Sequence, residues 1–501
     1  MQLFIRFKLL LPYLLGALAV LGYAPFYLFP ATLVSLIGFI YYWLQTKTPK
    51  ATFWFGIQYG LGLFIIGIYW IYISLHDFGG MPWWFAGFCT FCLCAFMALF
   101  IGLVAWLAKK IGSPLLSLPI LWGLSDWVRS WIFTGFPWLT LGYSQVPNSP
   151  LAGYMPIVGV YGVSVIAVFF AALVAYWFTK PSLHYKRNSI IAIVLIIVAG
   201  NVLKIVPWTS PTGKPISVAL LQGNIAQDIK WSPDSALGTI KQYIAMAQSS
   251  KATLIVLPET ALPVIATQLD QGVKDALAAH AKSNNGDLIV GMVEYNEATE
   301  EYFNSALTYG SNPTQSYKKN HLVPFGEFIP LKQVFGWIYR DWLSIPLSDL
   351  SRGGTHQKPM QLSKQKIAVN ICYEDVFGEE IIRQLPEATL LVNISNDAWY
   401  GKSFAAEQHM QFSQARAIET GRMMLRATNT GATAIIDPQG YVLAHAPHDK
   451  KTILNGNAQG YQGSTPYVRW GNWPVLLGFL AYFLFLIAKK VAIQNRQNKQ
   501  S

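Results

Sequence analysis

The chain has 501 residues, of which 53% are apolar, 14% aromatic and only 12% charged. Because globular proteins carry about 25% charged residues, this composition excludes a disordered or disulfide-stapled chain and indicates a polytopic membrane protein. The net charge of +12 arises outside the middle of the chain, since residues 208–471 carry 22 basic and 23 acidic side chains. No basic stripe with interleaved stacking aromatics occurs, so we expect no nucleic-acid partner.

Uncharged apolar segments recur along the first 207 residues and once more near the C-terminus. The first of them also resembles a signal peptide, since Arg6 and Lys8 precede an apolar stretch. Six further apolar segments follow it within the first 207 residues, which favours a retained helix. A membrane span needs about 20 apolar residues. We predict eight spans, at residues 9–23, 26–44, 53–75, 83–108, 114–132, 156–179, 189–206 and 472–488.

Basic residues lie in the loops after every second predicted span, whereas residues 76–81 and 134–155 are nearly free of Lys and Arg. Loops rich in Lys and Arg stay in the cytoplasm. This pattern predicts that both termini are cytoplasmic and that a large domain between spans seven and eight lies outside. The predicted domains are a seven-helix membrane domain at 1–207, an extracytoplasmic domain at 208–471, and a final helix with a cytoplasmic tail at 472–501.

The extracytoplasmic domain has the pattern of an α/β fold. Short β-branched or apolar runs predict strands at residues 216–222, 253–257, 287–293, 367–371 and 389–394. Apolar residues at helical spacing predict helices at 235–248 and 271–283, and one long helix over 405–426. Residues 432–442 predict a hairpin that turns at Asp437-Pro438-Gln439-Gly440.

Cysteine usage gives the sharpest chemical signal. Cys89, Cys92 and Cys94 lie inside an apolar span without a His or an acid, so we assign them to packing. Cys372 is the one cysteine of the outer domain and ends a predicted core strand, where sites collect in open α/β sheets. Taken alone, a buried structural cysteine is the simpler interpretation. Glu259 follows another strand and is a candidate base for a thiol nucleophile; its alternative is a solvated loop acid.

A third candidate segment runs from Tyr317 to Pro330 and contains Lys318 and Lys319. A Lys near a developing oxyanion stabilises it electrostatically, but an exposed lysine pair is equally consistent with the local sequence. The local sequence also does not select between Lys318 and Lys319. The histidines, including His321 and His409, show no metal-ligand spacing. We therefore expect neither a metal site nor a cofactor.

Four motifs in order resemble the nitrilase-superfamily signatures of bacterial apolipoprotein N-acyltransferases. They are Leu257-Pro258-Glu259-Thr260, the Tyr317 to Pro330 segment, Asn370-Ile371-Cys372-Tyr373-Glu374 and Asn396-Asp397-Ala398-Trp399-Tyr400-Gly401. The resemblance covers nearly the whole chain, and it implies eight spans and an outer nitrilase-like αββα sandwich.

The resemblance also implies the site residues and their roles. Glu259 matches the general base, Lys319 the catalytic lysine and Cys372 the nucleophile of a Glu-Lys-Cys triad. The remaining matches are supporting residues, namely Glu327, Tyr373 and Glu374.

The implied activity moves an acyl chain from a membrane phospholipid, through a Cys372 thioester, to the N-terminal amine of diacylglyceryl-modified apolipoproteins. The implied location is the periplasmic side of the bacterial inner membrane, and since no feature demands an oligomer we expect a monomer. Two alternatives remain: a membrane-anchored amidase with a polar, water-filled pocket, and a transporter or receptor. A transporter or receptor typically has ionisable residues that face a pathway through its spans. Asp126 and Arg129, in the fifth predicted span, are nearly the only residues of this kind.

Residues 328–350 are rich in large apolar side chains although they lie in the outer domain. Phe335, Trp337 and Trp342 either fill the domain core or form a mobile lid at the bilayer surface, where Trp is favoured. A lid of this kind shields a reactive intermediate from water.

Overall fold

A computed structural model describes residues 2–179, 182–227, 230, 233–330, 333 and 349–498. Most of the described residues up to residue 205 are helical. The helices of this part are α1 (Gln2–Ala19), α2 (Phe29–Gln45), α3 (Pro49–Gly67), α4 (Trp70–Ile73), α5 (Trp83–Ile111), α6 (Pro114–Arg129), α7 (Met155–Trp177) and α8 (Leu183–Ile205).

Each predicted span has a helix, with ends that differ from the prediction by up to ten residues, the largest difference being at the end of the C-terminal helix. Among the described residues, three helical segments are long and apolar enough to cross a membrane: Trp83–Ile111, Pro150–Trp177 and Leu183–Ile205. A fourth candidate is the pair Pro49–Gly67 and Trp70–Phe78, which is bent by 51°. The apolar parts of α1, α2 and the C-terminal helix are shorter.

Helices α3 and α5 pack at very short range because small residues face each other. A Cβ on Gly56 would lie 2.8 Å from Gly102 Cα, and one on Gly60 would lie 2.6 Å from Ala98 Cα. Small residues let helix backbones approach in this way within membranes.

Helix α3 begins at Pro49, and the Thr48 hydroxyl accepts a hydrogen bond from Ala51 N at 3.3 Å, which caps the helix.

The second part of the chain alternates strands and helices. Its strands are β1 (Thr209–Gln222), β2 (Leu254–Val256), β3 (Asp287–Asn296), β4 (Glu301–Gly310), β5 (Ser316–Lys318), β6 (Met360–Leu362), β7 (Gln365–Ile371), β8 (Leu390–Ser395), β9 (Met424–Thr428), β10 (Ala434–Ile436), β11 (Val442–His445) and β12 (Thr452–Gly463). Its helices are α9 (Pro233–Ser249), α10 (Gln271–Ser283), α11 (Gly378–Ile381), α12 (Ala405–Thr420), α13 (Pro466–Trp470) and α14 (Trp473–Asn498).

These strands form two six-stranded sheets, with orders β12-β1-β2-β3-β4-β5 and β11-β10-β9-β8-β7-β6. The central strands β1, β2 and β3 run parallel, as do β7, β8 and β9. Every residue of β2 and β8 is buried, as expected for parallel strands covered on both faces.

Three apolar cores define the layers. One lies between the sheets and joins Val218 and Leu254 to Val369 and Val392. The others pack α9 and α10 on the outer face of the first sheet and α11 and α12 on that of the second. The domain is therefore an αββα sandwich, which confirms the predicted nitrilase-like fold.

The predicted single helix over 405–426 is wrong, because α12 ends at Thr420. Gly421 adopts a left-handed conformation with φ of 64°, a position that glycine takes at least cost. Residues Met424–Thr428 then form β9, which pairs with β8 and β10. The predicted hairpin is present as β10 and β11, with Gly440 N donating to Asp437 O in the turn.

Helix α12 joins the two parts of the molecule through glutamine side chains. Gln408 Oε1 accepts hydrogen bonds from the indoles of Trp70 and Trp138, at 3.1 and 2.9 Å, while its amide donates to Gly67 O. Gln411 Oε1 accepts from Ala24 N at 3.0 Å. Because both glutamines are buried, these bonds satisfy groups that would otherwise be costly to bury, and they orient the α/β domain on the helical domain.

Candidate active site

The candidate site lies where parallel strands of both sheets end. Glu259 follows β2, Cys372 follows β7 and Asn396 follows β8. The backbone N of Asn396 donates to Glu259 Oε2 at 2.9 Å, which links the two sheets. Cys372 has a φ of 52°, a conformation that is uncommon for a non-glycine residue and concentrates at functional sites.

Lys319 lies between two carboxylates. Its Nζ is 3.4 Å from Glu259 Oε1 and 2.9 Å from the Glu327 carboxylate. Asn304 on β4 donates from Nδ2 to both acids, at 2.7 Å to Glu259 and 2.9 Å to Glu327. Lys319 is 1% exposed, whereas Lys318 stacks over the Phe303 ring at 4.2 Å. The structure thus distinguishes the two lysines, which the local sequence does not.

The electrostatics of the site favour a protonated thiol beside a permanent cation. Burial and the charge of Glu259 raise the pKa of Cys372 well above its usual value, although Lys319 opposes this. Burial lowers the pKa of Lys319, but the carboxylates of Glu327 and Glu259 outweigh it and raise that pKa well above its usual value. The Cys372 thiol is therefore protonated at neutral pH and needs a base to become a thiolate, whereas Lys319 stays charged.

Glu374 connects the lysine segment to the strand that carries Cys372. Its Oε1 accepts from Asn320 N and His321 N, at 2.7 and 3.1 Å. Its Oε2 accepts from Ile371 N and the Tyr317 hydroxyl, at 2.8 and 2.9 Å. Burial raises the pKa of Glu374 to about 7 against the effect of these bonds. With all four acceptor directions used, Glu374 positions its neighbours.

Tyr373 holds the site against the helical domain. Its hydroxyl donates to Gly135 O at 2.7 Å, and its ring stacks on that of Trp138 with a centroid distance of 6.0 Å. The three predicted supporting residues thus have different contacts. Glu327 forms an ion pair with Lys319, Glu374 accepts hydrogen bonds mainly from backbone N–H groups, and Tyr373 contacts the helical domain.

A cavity of about 490 Å³ contains Glu259, Lys319 and Cys372 in its wall. The rest of its lining is contributed largely by apolar side chains from both domains. The helical-domain members include Trp70, Leu93, Phe96, Met97, Phe133 and Phe136. The Cys372 thiol therefore lies at the wall of a largely apolar cavity.

Sequence reasoning missed an ionic cluster that contacts the backbone of Cys372. His409 on α12 contacts Asp397 through Nδ1 and Asp375 through Nε2, both at 2.8 Å, and its Nε2 lies 3.1 Å from Cys372 O. Arg426 on β9 reaches the same two aspartates, at 3.1 and 2.9 Å. Burial and Arg426 lower the pKa of His409, but Asp375 and Asp397 raise it to about 9.

Lys230 is a second residue that sequence reasoning missed. Its Nζ donates to Glu259 O at 3.2 Å and to the Thr260 hydroxyl at 2.6 Å. Burial lowers its pKa to about 8. Lys230 lies 29 residues before Glu259 in a loop, and only tertiary structure brings the two together.

The aromatic residues of the predicted lid or core, Phe335, Trp337 and Trp342, lie outside the described residues, so that prediction stays open.

Two families match the chain. The apolipoprotein N-acyltransferase N-terminal domain matches residues 15–173, and carbon-nitrogen hydrolase matches residues 217–467. The chain is 47% identical over 498 residues to apolipoprotein N-acyltransferase of Nitrosomonas europaea, covering 98% of this chain and 99% of that relative. It is 42% identical to the enzyme of the same name from Chromobacterium violaceum, covering 95% and 92%. The crystal structure of Saccharomyces cerevisiae Nit3, a member of branch 10 of the nitrilase superfamily, covers 50% of this chain and 93% of its own, with 16% identity and a TM-score of 0.39.

The αββα sandwich is a carbon-nitrogen hydrolase domain, and it is fused to a domain of apolar helices. The chain belongs to the apolipoprotein N-acyltransferase family. The family resemblance stated from the four motifs is thereby confirmed.

Proposed function

We propose that the protein transfers an acyl chain from a membrane phospholipid to the N-terminal amine of diacylglyceryl-modified apolipoproteins, with Cys372 as nucleophile. The observation that carries this proposal is the cavity that joins Glu259, Lys319 and Cys372 to an apolar lining from the helical domain. The names of the relatives support the same activity.

In the first half-reaction, Glu259 takes the proton of the Cys372 thiol as sulfur attacks the ester carbonyl of the phospholipid. Lys319 stabilises the oxyanion that forms on the carbonyl oxygen. The ester C–O bond then breaks, and the proton on Glu259 passes to the departing lysophospholipid oxygen. The acyl chain is now a thioester of Cys372.

In the second half-reaction, the amine of the apolipoprotein attacks the thioester carbonyl while Glu259 accepts an amine proton. The C–S bond breaks, the proton returns to sulfur, and the free thiol is regenerated with an amide as product. No cofactor or metal takes part in this scheme. The apolar walls of the cavity support an acyl chain as substrate and disfavour the small polar amides of a soluble amidase, because burying apolar surface is the main driving force for lipid binding.

The proposed location is the bacterial inner membrane. Eight crossings by α1, α2, the bent α3–α4 pair, α5, α6, α7, α8 and α14 would place residues 208–471 on the periplasmic side, with domains at 1–207, 208–471 and 472–501. The alternation of basic and uncharged loops supports this arrangement. The protein is proposed to act as a monomer.

Incubation of the purified full chain with phospholipid alone tests the chemistry. Intact-protein mass should increase by one acyl group, and Cys372→Ala should show no increase while keeping its melting temperature. A wild-type protein that never acquires an acyl adduct would contradict the thioester mechanism.

A membrane-impermeant thiol probe tests orientation: Ser311→Cys should be labelled in intact spheroplasts, and Lys499→Cys only after the membrane is opened. The reverse pattern would overturn the topology.

A further inference from the structure

A cluster of potential metal ligands lies on the surface of the α/β domain, away from the cavity. Glu407 comes from the first turn of α12, His445 ends β11, and His448 lies in the loop after β11. One ligand atom from each lies within 4.8 Å of the others. The spacing along the chain predicts no metal site, because Glu407 lies about forty residues before the two histidines and only the fold brings the three together.

The three side chains converge on one point. The Nε2 atoms of His445 and His448 face the same atom, Glu407 Oε1, at 3.4 and 2.6 Å. Ligand atoms around a tetrahedral ion with bonds of about 2.0–2.2 Å lie roughly 3.3–3.6 Å apart. The His445 distance already has this value, and the His448 distance needs to open by less than about 1 Å. His448 is exposed and has room for that movement.

The backbone that carries the histidines is held in place independently of the cluster. Gln222 Nε2 donates to the carbonyls of Pro447 and Lys450, at 2.8 and 2.9 Å. Asn224 Nδ2 donates to Asp449 O at 3.0 Å, and Asp449 N donates to Thr430 O at 2.7 Å. Because Glu407 lies on a regular helix, the ligands are supported on both sides, as a metal site requires.

We propose that Glu407, His445 and His448 form a binding site for one divalent transition-metal ion of the zinc type. Two imidazoles and one carboxylate are a donor set that Zn²⁺ uses together with a water in the fourth position. The bound ion would link the loop after β11 to α12, the helix whose glutamines contact the helical domain. The site is separate from the acyl-transfer chemistry and does not depend on it.

The test is titration of the full-length protein in detergent with Zn²⁺, using a purification tag without histidine. Isothermal titration calorimetry should show one equivalent bound, and Co²⁺ should give the visible absorption bands of a tetrahedral ion. His448→Asn and Glu407→Gln should each weaken Zn²⁺ binding at least about tenfold, because even the loss of a residue that only supports a metal ligand usually costs about 10- to 100-fold.

His356→Asn is the matched control, because His356 is an exposed histidine of the same domain whose ring pairs with Thr355. This variant should bind Zn²⁺ like wild type. The proposal is overturned if wild type binds no Zn²⁺, or if the cluster variants bind it as tightly as His356→Asn does. Acyl-adduct formation should stay at the wild-type level in all three variants, so the outcome is independent of the proposed acyl transfer.

Discussion

Asn304 offers the most discriminating test of the site. Its amide donates to both Glu259 and Glu327, at 2.7 and 2.9 Å, so it shares with Lys319 the stabilisation of these two carboxylates. Within the described residues its Oδ1 has no hydrogen-bond partner. The contribution of Asn304 therefore lies in the two N–H bonds, and substitutions that keep the shape but reverse the polarity separate this role from packing.

Hydrogen bonds to charged groups contribute about 1.5–3 kcal/mol, and each factor of ten in rate corresponds to about 1.4 kcal/mol. Loss of the bond that orients Glu259 in Asn304→Ala should therefore slow thioester formation by about 10- to 150-fold. Asn304→Asp should be slower still, because it places a third carboxylate against two existing ones. The assay is the rate of acyl-adduct formation with phospholipid, followed by intact-protein mass.

Asn312→Ala is the control, since the Asn312 amide donates to Asp287 at 2.8 Å, at the start of β3 and away from the site. It removes a similar amide–carboxylate bond and should leave the acylation rate within about twofold of wild type. If Asn304→Asp reacts as fast as wild type while Asn304→Ala is slow, Asn304 acts by its volume, and the electrostatic account of the site is refuted.

Three further predictions concern the neighbouring residues. Lys319→Ala should reduce adduct formation by about 10²–10³, the usual effect of losing one oxyanion donor, whereas Lys318→Ala should stay near wild type; the opposite result would show that the lysine is misassigned. Glu374→Gln should leave at least one buried N–H unpaired and lower stability by about 1–3 kcal/mol, seen as a lower melting temperature, and an unchanged melting temperature would refute its positioning role. Since the pKa of His409 is raised to about 9 in the folded state from about 6.5 when unfolded, its stabilisation is complete below pH 6.5 and is lost as the pH rises through 9. The melting temperature should therefore fall between pH 7 and 9.5 in wild type and fall less in His409→Gln; equal slopes would contradict this.

The local sequence is sufficient where the governing interaction is local. Buried strands have the pattern of short apolar runs, and a residue that follows such a run lies at the end of the sheet, so the sequence alone identifies Glu259 and Cys372 as candidates. The choice of Lys319 over Lys318 comes from the family resemblance. Only the fold gives its physical reason, namely burial of one lysine between two acids and stacking of the other on Phe303.

Tertiary structure decided what depends on contacts between distant segments. Residues 422–427 contain Met, Leu, Arg and Ala, which favour helix locally, but pairing of β9 with β8 and β10 outweighs that preference once Gly421 turns the chain. The sequence does not identify Asn304, Lys230 and His409 as site residues, because nothing in the neighbouring residues indicates which distant groups they contact. Their roles arise from contacts with polar groups of distant segments, which are carboxylates for Asn304 and His409 and a carbonyl and a hydroxyl for Lys230. Such contacts are a property of the folded chain.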